Sequence, residues 1–152
     1  MLAIAVAAIS VLGALIVYFL TQRAAAHSRK REACASAIAD ALQWLEIPYR
    51  IRRRVDDQPE TIAAITGHIH GLQESILFHL SWLRVELPAA HDEYHQLVTA
   101  VKTGTGKVIQ ESWESAPAHD PKNQNLGPIV YDRSRIDVHL ERLTNIIRQR
   151  FG

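Results

Sequence analysis

The sequence predicts an all-α protein: an N-terminal transmembrane helix that continues into an up-down antiparallel four-helix bundle. Three observations carry this expectation. Residues 2–20 read LAIAVAAISVLGALIVYFL, nineteen positions without a charge. Four later stretches repeat apolar residues at steps of three and four, the helical period. Gly and Pro number only 7 and 6 in 152 residues, and every proline stands between those stretches or in the first turn of one.

The apolar segment, at 1.5 Å per residue, would extend roughly 28 Å, close to the hydrocarbon thickness of a bilayer. Tyr18 stands near its end, where an amphipathic ring prefers the interface. A cleaved signal peptide would have a basic start and a shorter core. Residues 1–22 are therefore read as an uncleaved anchor, and 23–152 as the bundle. Arg23, Arg29, Lys30 and Arg31 follow the span, and only the initiating amine precedes it. The positive-inside rule then places the N-terminus outside and the bulk of the chain in the cytoplasm, at the cell membrane. Cys34 is the single cysteine, so no intramolecular disulfide can form, which suits a reducing compartment.

The first bundle helix is expected over 24–46. Its stripe is Cys34, Ile38, Ala41, Leu42 and Leu45, and Pro48 ends it. YRIRRRV at 49–55 reads as a basic connector. DDQPE follows, with Asp57 as N-cap, Pro59 in the first turn and Glu60 completing a capping box. The second helix runs over 58–87 on Ile62, Ile65, Ile69, Leu72, Ile76, Leu80, Leu83 and Leu87. Pro88 turns the chain into a third helix, 89–114, on Tyr94, Leu97, Val101, Val108 and Ser112 or Trp113. Gly104 and Gly106 inside it suggest a close crossing or a kink. Residues 115–131, with three prolines, form a long loop. The fourth helix covers 133–150 on Ile136, Leu140, Leu143, Ile147 and Phe151.

In an up-down bundle the 87–89 turn and the C-terminus face the membrane. The basic connector lies at the far end, roughly 35 Å out along a straight helix. Charge follows this plan. Residues 21–55 carry eight basic and three acidic side chains, and residues 56–120 three basic and ten acidic ones. Arg148 and Arg150 return positive charge toward the bilayer, within reach of anionic headgroups.

The composition excludes little: apolar content is 47% and net charge +1. HDEYH at 91–95 sets two histidines four apart, but the residue after the first is Asp92, where a zinc protease places Glu. TGTGK at 103–107 lacks the earlier glycine of a P-loop, because position 101 is Val101. In the bundle, His79 and His95 should sit at similar heights, with Cys34 near that level. Two imidazoles and a thiolate are a possible zinc set. The alternative expectation is thus a metal-dependent enzyme or metal sensor using His79, His95 and Cys34. The leading expectation is a binding or adaptor protein with no catalysis and no cofactor. It would present Tyr49, Arg50, Arg52, Arg53, Arg54, Trp44 and Trp113 to a protein partner, with the acidic middle of the chain disfavouring nucleic acid. Ser10, Gly13 and Ala14 offer a small-residue surface for self-association within the span.

Overall fold

A computed structural model describes residues 2–118, 129 and 132–151, with backbone alone for residues 2–14. The described residues contain no strand. In chain order they form α1 (Leu2–Gln43), a 3-10 turn (Trp44–Glu46), α2 (Ile47–Arg52), α3 (Pro59–Glu86), α4 (Pro88–Glu114) and α5 (Ser134–Phe151). The four long helices are the expected ones, with α1 continuous from Leu2 as expected but ending at Gln43, three residues before the expected 46, and every other end within one residue of its expected position. Among the described residues no helix is long and apolar enough to cross a membrane. The span expected over 2–20 falls largely on residues 1–14, whose side chains lie outside those described. So do Ser10, Gly13 and Ala14, and most of the 115–131 loop.

Side-chain pairs fix the helix directions. Lys30 of α1 pairs with Glu86 of α3 at 2.7 Å, and Asp40 of α1 with His79 of α3 at 3.2 Å. Rising numbers on α1 therefore meet falling numbers on α3, and the two run antiparallel. Leu87 alone joins α3 to α4, with Pro88 at the first position of α4, and Leu80 and Arg84 share a cleft with His91 and His95, so the chain reverses there. Glu93 of α4 pairs with His139 of α5 at 2.5 Å, and the backbone oxygen of Asp132 lies beside Gly104, so α5 runs antiparallel to α4. Phe151 ends α5 against the ring of His27. The C-terminus and the Leu87 joint thus share one end of the bundle, here called proximal, with residue 27 of α1. The other end, with α2, is distal.

The buried face of α1 is built from small residues, Cys34, Ala37 and Ala41, which leaves room for the bulky side chains opposite. Leu72, Ile76 and Leu83 of α3, Tyr94, Leu97 and Val101 of α4, and Ile136 and Leu143 of α5 fill that space. The α3 stripe holds over its C-terminal two thirds. Ile62, at its start, is exposed because α3 there projects past the core. In α4 the buried position after Val101 is Thr105, while Val108 is half-buried. Thr105 can be buried because its hydroxyl donates to the Val101 carbonyl at 2.8 Å. Neither glycine of α4 is required by crowding. A Cβ at Gly104 would meet the Asp132 carbonyl at 3.9 Å, an ordinary contact, and one at Gly106 would meet nothing within 4 Å. The helix passes through both without a break.

The distal end departs from expectation. Pro48 does not release the chain into a connector. It lacks the N–H that would bond the Trp44 carbonyl, so Ile47 supplies that bond in a tighter 3-10 turn and the chain restarts as α2 with Pro48 in its first turn. Ile47, Pro48 and Ile51 make the buried face of α2, which packs on α4. YRIRRRV is thus largely helix. The cap of α3 also differs. Its N-cap residue is Gln58, which makes no side-chain cap bond. Asp56 does the work expected of Asp57, accepting from the Gln58 N–H at 3.2 Å and the Thr61 hydroxyl at 2.6 Å.

Arg54 explains where Asp57 went. Its side chain is 3% exposed. Nε donates to Asp57 Oδ1, Nη1 to the carbonyls of Ile51 (3.1 Å) and Ser112 (3.0 Å), and Nη2 to those of Trp113 (3.1 Å) and Ser115. A guanidinium has five N–H donors, and all are used. Three of the acceptors are carbonyls at the end of α4, where a helix lacks partners and carries partial negative charge. Replacing Arg54 by Ala should therefore cost about 2–4 kcal/mol, measured by urea unfolding. Arg54→Lys should recover little of that loss, since an ammonium cannot reach acceptors spread over a planar fork. A loss below about 0.5 kcal/mol for both variants would contradict this role.

Candidate functional site

Two regions hold the side chains singled out by the sequence. The first is the bundle interior. His79 is buried at the α1–α3 contact, with Nε2 on Asp40 Oδ2 at 3.2 Å. The Ser75 hydroxyl donates to the same oxygen. His79 Nδ1 is buried and makes no hydrogen bond, and neither does the hydroxyl of Tyr94, which is fully buried on α4. Burial, and the Asp40 charge after it, push the Tyr94 phenol well above its ordinary value. Cys34 is 1% exposed, and burial pushes its thiol up, away from the thiolate that binds metal or attacks electrophiles.

The zinc set expected from sequence is not assembled. His79 points into the bundle, whereas His95 is exposed, beside a shallow cleft with Arg84, Val85 and His91. Cys34 is buried on α1. Among the described residues no group of three or more His, Cys, Asp and Glu side chains is placed to hold a metal ion. HDEYH divides its residues among different neighbours. His91 Nδ1 is 2.8 Å from Asp92, Glu93 holds His139 of α5, Tyr94 enters the core and His95 faces solvent.

The second region is the distal end, where α2 separates its residues by face. Arg54 is buried in the fastening described above, and Trp44 is 6% exposed under Lys102, whose ammonium lies 4.6 Å from the ring centroid. Neither offers its side chain to a partner, contrary to expectation, because both are occupied within the fold. Trp113 is half-buried beneath Arg54, 5.5 Å from ring to guanidinium. Arg52 is half-buried and donates to the Ser112 hydroxyl at 3.2 Å. The Tyr49 hydroxyl accepts from the Ile129 N–H at 2.9 Å, and its ring lies 5.7 Å from the Arg53 guanidinium. Arg50 and Arg53 are exposed, and among the described residues neither has an ion-pair partner. A cleft of about 610 Å³ opens between α2 and the first turns of α3, with both arginines on its wall. Neither Trp44 nor Trp113 lines it.

At the proximal end Arg23, Arg29, Arg31, Arg148 and Arg150 are exposed, while Lys30 is tied to Glu86. Leu15 to Leu20, immediately before them, are each between 48% and 66% exposed.

Comparison of the chain with known protein families, with curated proteins and with solved structures finds no match.

The Tyr94 environment sets a pH dependence. Its folded pKa is raised, so the stability it contributes is fully present below the ordinary phenol value near 10 and is lost as pH climbs toward the folded value. Between about pH 10 and 11.5 the native chain should lose roughly 1.4 kcal/mol per pH unit more than Tyr94→Phe does. Tyr94→Phe should not be destabilising at neutral pH, because it removes a hydroxyl without a partner. Urea midpoints of the two proteins across that range check both statements.

Proposed function

We propose that this chain is a membrane-anchored helical-bundle binding protein, which presents its distal end to a protein partner in the cytoplasm and acts by binding, without a catalytic step. The observation that carries the reading is the division within one short basic stretch. Arg54 is fully bonded inside the fold, while Arg50 of α2 and Arg53 at its C-cap stand exposed beside an open cleft. Fold stability accounts for the first, whereas among the described residues the guanidiniums of the other two make no hydrogen bond or ion pair.

The anchor is supported by the apolar run of residues 2–20 and by the exposure of Leu15 to Leu20 on every side of α1. Six consecutive bare apolar residues are unfavourable in water and ordinary in lipid. The arginines that follow suit a cytoplasmic face, with Arg23, Arg29 and Arg31 from α1 and Arg148 and Arg150 brought alongside by the packing of Phe151 on His27. In this reading they meet anionic headgroups, and the small residues Ser10, Gly13 and Ala14 offer a surface for self-association in the bilayer. A straight α1 then holds α2 about 35–40 Å from the headgroups, well beyond the reach of its own membrane's surface potential. The partner is accordingly a protein.

The expected result is that R50A/R53A, with unchanged helix content, recovers about tenfold less cross-linked protein partner from cells than the native chain. R148A/R150A should recover as much as the native chain does. Equal recovery from R50A/R53A would contradict the proposal.

A further inference from the structure

The distal cleft has a chemistry specific enough to name its ligand class. Its charged lining is Arg50 and Arg53, free of ion pairs among the described residues, Arg54, whose charge is met by Asp57, and Glu46 at the rim. The free groups therefore sum to a single positive charge at neutral pH with histidine neutral. Opposite them on α3 the wall is aliphatic, with Ile65 and Ala64, and Val55 adds a 52% exposed side chain from the α2–α3 joint. His68 closes this wall. Its Nε2 is buried and makes no hydrogen bond. The 610 Å³ volume lies within the range of sites that hold a drug-sized ligand or a few side chains.

Building on the proposed function, we infer that this cleft binds an acidic peptide segment of a protein partner, seating a Glu or Asp carboxylate between Arg50 and Arg53 and an adjacent aliphatic side chain against Ile65 and Val55. Each part of the lining has a role in this. Two exposed guanidiniums, from Arg50 in α2 and from Arg53 at its C-cap, stand three positions apart on the wall of one cleft and offer the planar donor pairs that suit a carboxylate. Arg53 is held in place by its stacking on Tyr49, which reduces the ordering cost of binding. The fully bonded Arg54 beneath fixes the α2 backbone on which both sit. A single net positive charge matches a carboxylate, whereas a dianionic phosphate would be opposed by Glu46. The aliphatic wall excludes a purely ionic ligand as the best fit, since a bare anion would leave Ile65 and Val55 in water.

The test uses the full chain in lipid nanodiscs, with arginine side chains labelled with nitrogen-15 and isoleucine methyls with carbon-13. The probe is the peptide acetyl-Leu-Glu-Leu-Glu-Leu-amide, with its glutamine counterpart and inorganic phosphate as competitors. The expected result is a saturable shift of the Arg50 and Arg53 Nε–H signals and of the Ile65 methyls with the glutamate peptide, and no saturation with the glutamine one. Arg50→Ala and Arg53→Ala should each weaken binding about tenfold or more, and Lys107→Ala should leave it unchanged. Absent shifts, an equal response to the glutamine peptide, or displacement of the glutamate peptide by phosphate at a similar concentration would each overturn the inference. If peptide binding fails while R50A/R53A still abolishes cross-linking in cells, the ligand class falls and the distal-end reading stands.

Discussion

The end of a long helix is a problem that this fold solves with one arginine. Helix α4 finishes at Glu114 with carbonyls that have no partner within the helix. Arg54 reaches them from the end of α2 and satisfies three, while binding back to Ile51 and across to Asp57 before α3. The Arg54 carbonyl in turn accepts from the Ala118 N–H at 2.9 Å, so the chain leaving α4 is fastened to the same residue. Residues three positions to either side of Arg54 and the end of α4, some sixty positions later, meet at one side chain. A buried cation is costly unless fully hydrogen-bonded, and here every donor is used. The position of α2, and hence of Arg50 and Arg53, follows from this fastening.

A second polar layer orders the middle of the bundle. Asp40 takes Ser75 and His79 from α3 and acts electrostatically on Tyr94 of α4. Apolar stripes alone tolerate sliding of one helix along another. A half-buried carboxylate with specific partners one turn apart does not, because a shifted register would leave it unbonded. Small residues on α1 make the arrangement possible, since Ala37 and Ala41 allow the approach that puts Asp40 within reach. The Glu93–His139 contact does for α4 and α5 what Asp40 does for α1 and α3. Polar contacts thus fix the register of a core whose burial is supplied by leucine, isoleucine and valine.

The helices were legible because period and punctuation agree. Pro59 and Pro88 stand in first turns, and the stripes of α3, α4 and α5 name most of the buried residues. What escaped was partnership. Leu72, Ile76, His79 and Leu83 are spaced four, three and four and are the four buried positions of α3. Leu80 fits steps of four and three between Ile76 and Leu83, so spacing admits either residue, and hydrophobicity favoured Leu80. Arg54 was indistinguishable from its basic neighbours, since its role depends on carbonyls some sixty positions later. Pro48 was taken as a stop because local rules do not register that Ile47 and Ile51 would be buried against α4. Nothing local separates Arg50 and Arg53 from Arg54, since α2 ends at Arg52 and the burial of Arg54 depends on the end of α4.

The most direct test of the central claim is amide hydrogen exchange on native protein and on Arg54→Lys. The account expects faster exchange in α2, in the last turn of α4 and at Ala118, with protection retained at Ile76 and Leu83 in the middle and proximal core. Unchanged protection of α2 and the end of α4, or a uniform loss along all helices, would contradict the claim that Arg54 organises the distal end.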